Sequence, residues 1–343
     1  MRYGKLPAVV GQKRALISDE LLSAVLSQYP LSNLSVVGPL EASKMNDSFL
    51  VEDEAGDRYV LRRYRRNVDE RRNLFQLRFQ QQLYQSGFPT SEVIEPTSGG
   101  LLVTSEAGAW VLFPYIKGTE YDFARMAQVA EAGRRLAEFH VVTDSIQMEE
   151  VVIDINPALR RWWTHGEEEI AELEKMFTGQ GVEEELAFLR DWQAELVQQW
   201  PLARLDALPT GWVHSDYHGR NMVFVGDELR GLFDFDPLHR GFKVEDVAHA
   251  LFMFSREFRG STHIRLEAAR LFLDEYDQRR RLEGVEREAI PMMGVLVWVT
   301  NAPYFALLQR DGEDPVAYLR HYVSLMRDLQ LEMARLGPLL TEG

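Results

Sequence analysis

The chain reads as an α+β protein in two lobes, a small antiparallel sheet lobe followed by a larger, mainly helical one. Three observations carry this. Five short β-patterned runs, separated by polar turns, fall before residue 118. Amphipathic helical periodicity dominates from residue 122 onward. At 343 residues the chain also exceeds the usual size of one domain. The sequence therefore divides into a lobe at 1–116 and a second at 117–343, with KGTEYD (117–122) as the connection.

In chain order, LSVVGPL (34–40), SFLVEDE (48–54) and DRYVLRRY (57–64) read as strands, with Gly56 suited to a hairpin turn. NVDERRNLFQLRFQQQLYQSG (67–87) reads as one helix with Leu74, Leu77 or Arg78, Gln81 and Tyr84 on a face, stopping at Gly87 before Pro89. GLLVTSEAG (100–108) and AWVLFPYIKG (109–118) supply two more strands. FARMAQVAEAGRRLAEFHVV (123–142) and LAFLRDWQAELVQQWPLARL (186–205) are helical, as are segments near 264–280, 290–309 and 316–336. The exception is the stretch 212–236, where MVFV and LRGLFDF read as two strands joined by the turn GDE. Loops anchored on such a hairpin are a rigid support for chemistry done by positioning.

Composition narrows the function classes. There are no cysteines, which excludes disulfides, thiolate metal sites and cysteine nucleophiles. The net charge of −15, from 53 acidic and 38 basic residues, opposes nucleic-acid binding. The one basic gathering, RRYRR (62–66) with Arg71 and Arg72, serves phosphates, acidic helices or solvent equally well. The N-terminal residues 1–14 lack a long apolar stretch, and PMMGVLVWV from Pro291 is about half the length that crosses a bilayer. A cytoplasmic protein with no membrane partner is the expectation.

Asp216, Asn221 and Asp234 form a set of groups suited to phosphoryl transfer. Four residues separate the first two and 12 separate the second pair, so one loop presents an acid and an amide and the following hairpin returns a second acid. The first acid can orient a hydroxyl; the amide and second acid can hold Mg²⁺ against nucleotide phosphates. Read as structure alone, the same residues are turn caps. H-x-x-x-H at His214 and His218 lacks a third zinc ligand.

HSDYHGRNMVF (214–224) resembles the pattern HGDLHxxNxxF, and LFDFDP (232–237) resembles the I-D-F/W-D/E segment, of the small-molecule kinases that include aminoglycoside phosphotransferases, choline kinases and the second type of homoserine kinase. The resemblance extends through YVLRR, GRRLAEFH and VEDVAHAL. It implies a protein-kinase-like fold, with ATP and Mg²⁺ as cofactors and a small hydroxylated metabolite as acceptor. Asp216 then faces the acceptor hydroxyl, and Asn221 and Asp234 bind the metal. His218 touches either its own loop or the transferred group, and His214 holds the loop backbone. Asp246 braces that loop. Apart from the resemblance, His140 falls on the apolar side of its helix with Leu136 and Gly133 and reads as a satisfied core or loop-bracing residue.

The resemblance also places Arg62 where a basic residue meets the α and β phosphates, a solvent-facing strand arginine being the alternative. Asn46, Asp47 and Ser48 would form a tight turn whose N–H groups meet phosphate, or else an ordinary Asx hairpin. Phe113, Pro114, Tyr115 and Ile116 would border adenine or simply pack between lobes. The clearest departure is Gln76, which stands where the family has a glutamate paired to the basic residue. Asp236 points away from the metal if its segment is extended and toward it if a turn intervenes. Trp162, Trp163, Tyr304 and Phe305 are candidates for the acceptor side, and Glu167 to Glu169 for drawing an amine. A nonenzymatic nucleotide-binding scaffold remains open, and a serine/threonine protein kinase is disfavoured by the lack of DFG and APE segments.

Overall fold

A computed structural model describes residues 17–40, 46–64, 69–148 and 157–341. The N-terminal segment 1–14, residues 41–45 of the expected phosphate-covering loop, and Arg65 and Arg66 lie outside the described residues.

Residues with alternating apolar side chains form the first lobe. Strands β1 (Ser35–Pro39), β2 (Asn46–Glu52), β3 (Arg58–Tyr64), β4 (Val103–Ser105) and β5 (Gly108–Pro114) build one antiparallel sheet in the order β1-β2-β3-β5-β4. Gly56, at φ 87°, supplies the left-handed residue that the β2–β3 turn requires. The period of two along β3 and β5 sends Leu61, Trp110 and Leu112 to one face and Tyr64, Val111 and Phe113 to the other.

Helix α1 (Asp19–Leu26) covers the first of these faces with Leu22, Val25 and Leu26, and α2 (Glu70–Gln85) packs against the second through Leu77. The sequence reading had one helix in this lobe; α1 is short, eight residues with three of them buried, and Ser18 caps it. The reading also rotated α2. Its buried side is Phe75, Gln76, Leu77, Phe79, Gln80 and Leu83, while Tyr84 is exposed. Glutamines sit on the inner face because each amide reaches a main-chain carbonyl there: Gln80 donates to Ser91 O at 2.8 Å and Gln76 to Asp236 O at 2.9 Å.

The second lobe begins with α3 (Met126–Val142), α4 (Pro157–Thr164), α5 (Gly166–Met176), α6 (Glu183–Gln199) and the short α7 (Leu202–Leu205). Two small antiparallel pairs follow, β6 (Thr210–Val213) with β9 (His239–Phe242), and between them in sequence the hairpin β7 (Met222–Val225) and β8 (Glu228–Leu232). Helices α8 (Lys243–Ser255), α9 (Leu266–Arg279), α10 (Gly284–Leu296), α11 (Ala302–Arg310), α12 (Pro315–Ala334) and α13 (Gly337–Thr341) complete it. The expected 290–309 helix is two, because the chain breaks at 297–301 and restarts with Asn301 as cap and Pro303 in the first turn.

At the centre lies α8, with every residue except Met253 buried. Across α3 and α9 the backbones approach so closely that a Cβ on Gly133 would sit 2.4 Å from Phe272 O. Phe75 and Phe79 of α2 pack at an angle against Trp212 of β6, 5.6 and 5.2 Å between ring centres, so the helix joins the apolar cores of both lobes. Among the described residues no helix is long and apolar enough to cross a membrane.

Candidate active site

The loop between β6 and β7 hangs on one carboxylate. Asp246, fully buried in the first turn of α8, accepts the main-chain N–H groups of His214 (2.7 Å) and Ser215 (2.8 Å), and lies 3.3 Å from His140 Nε2. Burial pushes the Asp246 carboxyl up, but the His140 hydrogen bond and the loop N–H groups outweigh it and hold the group below its ordinary range. His140 is oriented in turn by Tyr276, whose hydroxyl is 2.7 Å from Nδ1.

His214 couples this loop to the next segment. Its Nδ1 accepts the Asp216 N–H at 3.3 Å and its Nε2–H donates to Phe233 O at 3.0 Å, which fixes the neutral tautomer; burial keeps the pKa low. Ser215 is held at φ 66°, a left-handed conformation, where the family pattern has glycine.

Within the loop, Asp216 has a donor on each oxygen. His218 Nε2 lies 3.1 Å from Oδ1, and Asn221 Nδ2 donates 2.8 Å to Oδ2 and 2.9 Å to the Asp216 carbonyl. His218 is turned the right way because its Nδ1 accepts from Arg220 N. Partial burial raises the Asp216 pKa, but the His218 hydrogen bond and the surrounding histidines more than reverse this, and the carboxylate stays ionised. Asn221 spends its N–H donors on Asp216; among the described residues no donor reaches its Oδ1.

Asp234 follows β8 and also adopts φ 66°. That left-handed residue bends the chain, so Asp236 does not point away: both acids lie on the same guanidinium, with Arg62 Nη2 2.9 Å from Asp234 Oδ1 and 3.2 Å from Asp236 Oδ2. The extended-segment alternative is thereby excluded. Asp236 also accepts from Asn46 Nδ2 at 3.0 Å, and its carbonyl takes Arg72 Nη2 (2.7 Å) and Gln76 Nε2 (2.9 Å). Burial raises the Asp236 pKa; Arg62 opposes and Asp234 adds to this. Gln76 thus bonds the Asp236 main chain, and no hydrogen bond joins it to Arg62.

A cleft of about 350 Å³ opens here, lined by Asn46, Ser48, Arg62, Tyr115, Ile116 and Asp234 among others, including Phe113 and Pro114. Two corrections arise. Asn46, Asp47 and Ser48 are not a turn but the start of β2, paired with Tyr64, Arg63 and Arg62. Alternation along that strand then turns Asp47 away from the cleft, where it pairs with Arg63 at 2.5 Å.

The donor set fits a hard divalent cation. Among the described residues Asn221 Oδ1 and Asp234 Oδ2 have no hydrogen-bond donor, their partners lying on Nδ2 and Oδ1, and Mg²⁺ is ordinarily held by one or two such ligands plus phosphates. Among the described residues no group of three or more acidic or histidine side chains could hold a metal without that help.

On the other side of Asp216 lies a second cavity of about 440 Å³, whose walls include Ser215, His218, His249, Trp298, Tyr304 and Tyr322. His249 and Trp298 are 5.7 Å apart between ring centres, and His249 Nδ1 and Trp298 Nε1 are both buried without a hydrogen-bond partner. Burial pushes the His249 pKa down to about 4 despite the pull of Asp216. Of the aromatics expected here only Tyr304 arrives. Trp162, Trp163 and Phe305 are core residues, and Trp163 Nε1 is spent on Trp200 O. Glu167 to Glu169 form the first turn of α5, and Glu169 is buried against Arg161; none of the three lines the cavity.

Sequence reasoning missed His249 and Trp298. The first carried a signal, since His249 lies three residues beyond Asp246 and so shares a helix face with it; Trp298 follows α10 in an irregular turn and carried none.

Residues 37–282 match the phosphotransferase enzyme family (APH). The homoserine kinase of Sinorhizobium medicae (strain WSM419) is 24% identical over 330 residues, covering 93% of this chain and 97% of that protein. Among solved structures, the microcompartment-associated aminopropanol kinase aligns with a TM-score of 0.66 at 17% identity over 93% of this chain and 97% of its own. Amicoumacin kinase, in complex with AMP-PNP, Ca²⁺ and Ami, aligns with a TM-score of 0.64 at 18% identity over 91% and 94%. With more than two thirds of its length matched and the two-lobed, protein-kinase-like fold shared almost end to end, this chain belongs to the phosphotransferase enzyme family of small-molecule kinases.

Proposed function

We propose that the protein transfers the γ-phosphoryl group of Mg²⁺-bound ATP to a hydroxyl of a small, amine-bearing acceptor. The observation that carries this is the position of the 214–236 segment between two cavities, with Asp216 facing one and Asp234 the other. Nucleotide would enter the cleft beside Arg62, its adenine along Phe113, Tyr115 and Ile116 and its phosphates near Asn46, Ser48 and Arg62. When bound there by Asn221 and Asp234, the metal would neutralise charge on the phosphates.

Asp216 then acts by orientation. Its pKa is low, so it is a weak base, yet each oxygen has one donor already and retains lone pairs for the acceptor O–H. In a loose transition state the hydroxyl loses its proton late, as the new O–P bond forms and the bond to the ADP oxygen breaks. Asp216 receives that proton, and His218 and Asn221 keep the carboxylate pointing at the hydroxyl.

The acceptor cavity supports an amine rather than an acid. Asp216 and Glu245 line it and, among the described residues, no lysine or arginine does, so the carboxylate of homoserine would meet neither there, whereas a protonated amine would meet negative charge and aromatic faces.

The test is Mg²⁺-dependent ATP consumption across a panel of amino alcohols and hydroxy amino acids. Asp216→Asn should lower turnover by about a thousandfold while sparing nucleotide affinity, and Asp234→Asn should weaken the metal–nucleotide complex. Turnover unaffected by either change would refute the assignment. Gln76 in place of a helix carboxylate favours a second reading, a nucleotide-binding protein without transferase activity, and the same panel would show it as nucleotide binding with no acceptor-dependent consumption.

A further inference from the structure

The departure at Gln76 leaves Arg62 with no carboxylate from α2, yet Arg62 and α2 still meet, through Asp236. Four donors converge on that residue. Arg62 Nη2 and Asn46 Nδ2 reach its carboxylate Oδ2 at 3.2 and 3.0 Å, and Arg72 Nη2 and Gln76 Nε2 of α2 reach its carbonyl at 2.7 and 2.9 Å. Gln76 is 2% exposed with Oε1 unpartnered, and Arg62 Nε is buried and unpartnered as well.

The two acids on Arg62 are not equivalent. Asp234 keeps Oδ2 free of donors among the described residues and is the residue placed for a metal, so a bound cation would share its charge with the guanidinium. Asp236 remains, its backbone clamped by α2. A long arginine loses about 2 kcal/mol of side-chain entropy when ordered, so a fixed carboxylate beside it matters.

We propose that Asp236 is a positioning residue that stands in for the missing helix carboxylate: it ties the Arg62 guanidinium to α2 and aims it at the nucleotide phosphates. This rests on the nucleotide reading above. It assigns the second acid of D-F-D to the arginine and the first to the metal.

The test measures Mg²⁺–ADP affinity by titration calorimetry, with KM for ATP and kcat alongside. Asp236→Asn keeps the shape and the main-chain bonds and removes the charge. It should weaken Mg²⁺–ADP binding and raise KM for ATP by about tenfold, the value of one charge-assisted hydrogen bond, with kcat at saturating ATP changed much less. Adding Gln76→Glu to that variant should restore most of the affinity, which a purely structural role of Asp236 would not allow. Gln76→Glu alone should not tighten binding, because the carboxylate function is already filled and the change gives up the Gln76 Nε2 hydrogen bond to the Asp236 carbonyl.

Wild-type affinity in Asp236→Asn, no recovery in the double variant, or about tenfold tighter binding by Gln76→Glu alone would each overturn the proposal. The single Gln76→Glu variant decides the matter even where Asp236→Asn does not fold. If the unaltered protein binds no Mg²⁺–ADP, the functional reading falls and this inference with it; if it binds and Asp236→Asn binds equally well, only this inference falls.

Discussion

The two cavities beside the 214–236 segment follow opposite electrostatic plans. In the interlobe cleft Arg62 is matched against Asp234 and Asp236, with Asn46 closing the set. In the cavity on the Asp216 side, polar groups are left unmatched: His249 Nδ1 and Trp298 Nε1 are buried without partners, and among the described residues no lysine or arginine lines the wall. A cross-paired cluster tolerates an incoming anion that brings its own cation, because partners are exchanged and no charge is left buried alone. Orphaned neutral dipoles are costly until something hydrogen-bonds to them. On the function proposed above, the contrast would suit one side to a metal-bound polyanion and the other to a compact group that donates and accepts hydrogen bonds.

Both plans depend on Asp246, so its loss should produce the largest effect. Asp246→Ala strips the His214 and Ser215 N–H groups of their acceptor and leaves His140 without its carboxylate. A cost of about 3–5 kcal/mol is expected, read as a drop in the denaturation midpoint, with both cavities disturbed together. A loss below about 1 kcal/mol would mean that β6 and β7 hold the loop unaided.

The next effect isolates the acceptor side through pH. His249 titrates near the ordinary 6.5 in the unfolded chain but is pushed down to about 4 in the folded protein. Between those values the unfolded state binds the proton and the folded state does not, so stability falls as pH drops from 6.5 toward 4. The difference reaches about 3 kcal/mol at the lower end. His140 and His214 are shifted the same way, so the measurement is the difference between the protein and its His249→Asn variant in urea titrations at several pH values. Parallel stability curves would show that His249 is not sealed in the cavity wall.

How far the sequence anticipated this contrast depended on whether a feature was local. Asp216, Asn221 and Asp234 were legible because their spacing spans one loop and one hairpin, and the sheet because its strands alternate. Asp47 was misread since its direction depends on whether 46–48 is turn or strand, which pairing with β3 decides. The inner face of α2 was misread because it carries Gln76 and Gln80, whose carbonyl partners lie at Asp236 and Ser91, far along the chain or across a loop. The aromatic wall was mislocated for the same reason: hydrophobicity alone does not separate Trp163, tied to Trp200 O, from Trp298, which has no partner.

A smaller effect tests whether the cavities act separately. Trp298→Phe keeps an aromatic side chain, though a smaller one, and removes the N–H. If that donor meets the acceptor, KM for the acceptor should rise by about tenfold while KM for ATP stays constant, in steady-state kinetics that vary each substrate in turn. A parallel rise in KM for ATP would mean that the two cavities are coupled through the loop, and the division drawn above would be wrong.

The smallest effect compares one conformation on the two sides. Ser215 and Asp234 both sit at φ 66°, where an L side chain costs about 1–2 kcal/mol relative to glycine. Asp234 retains its place in the cleft through Arg62, whereas the exposed Ser215 hydroxyl faces the acceptor cavity with no partner among the described residues. Ser215→Gly should therefore stabilise the protein. The gain should be only about 0.5–1 kcal/mol, because glycine also gains freedom in the unfolded chain. Thermal denaturation measures that term, and acceptor kinetics measure whether the strain serves a purpose: a stabilised variant with unchanged KM makes the serine incidental, while a stabilised variant with a raised KM makes its hydroxyl a contact for the acceptor, held in place at the expense of the fold.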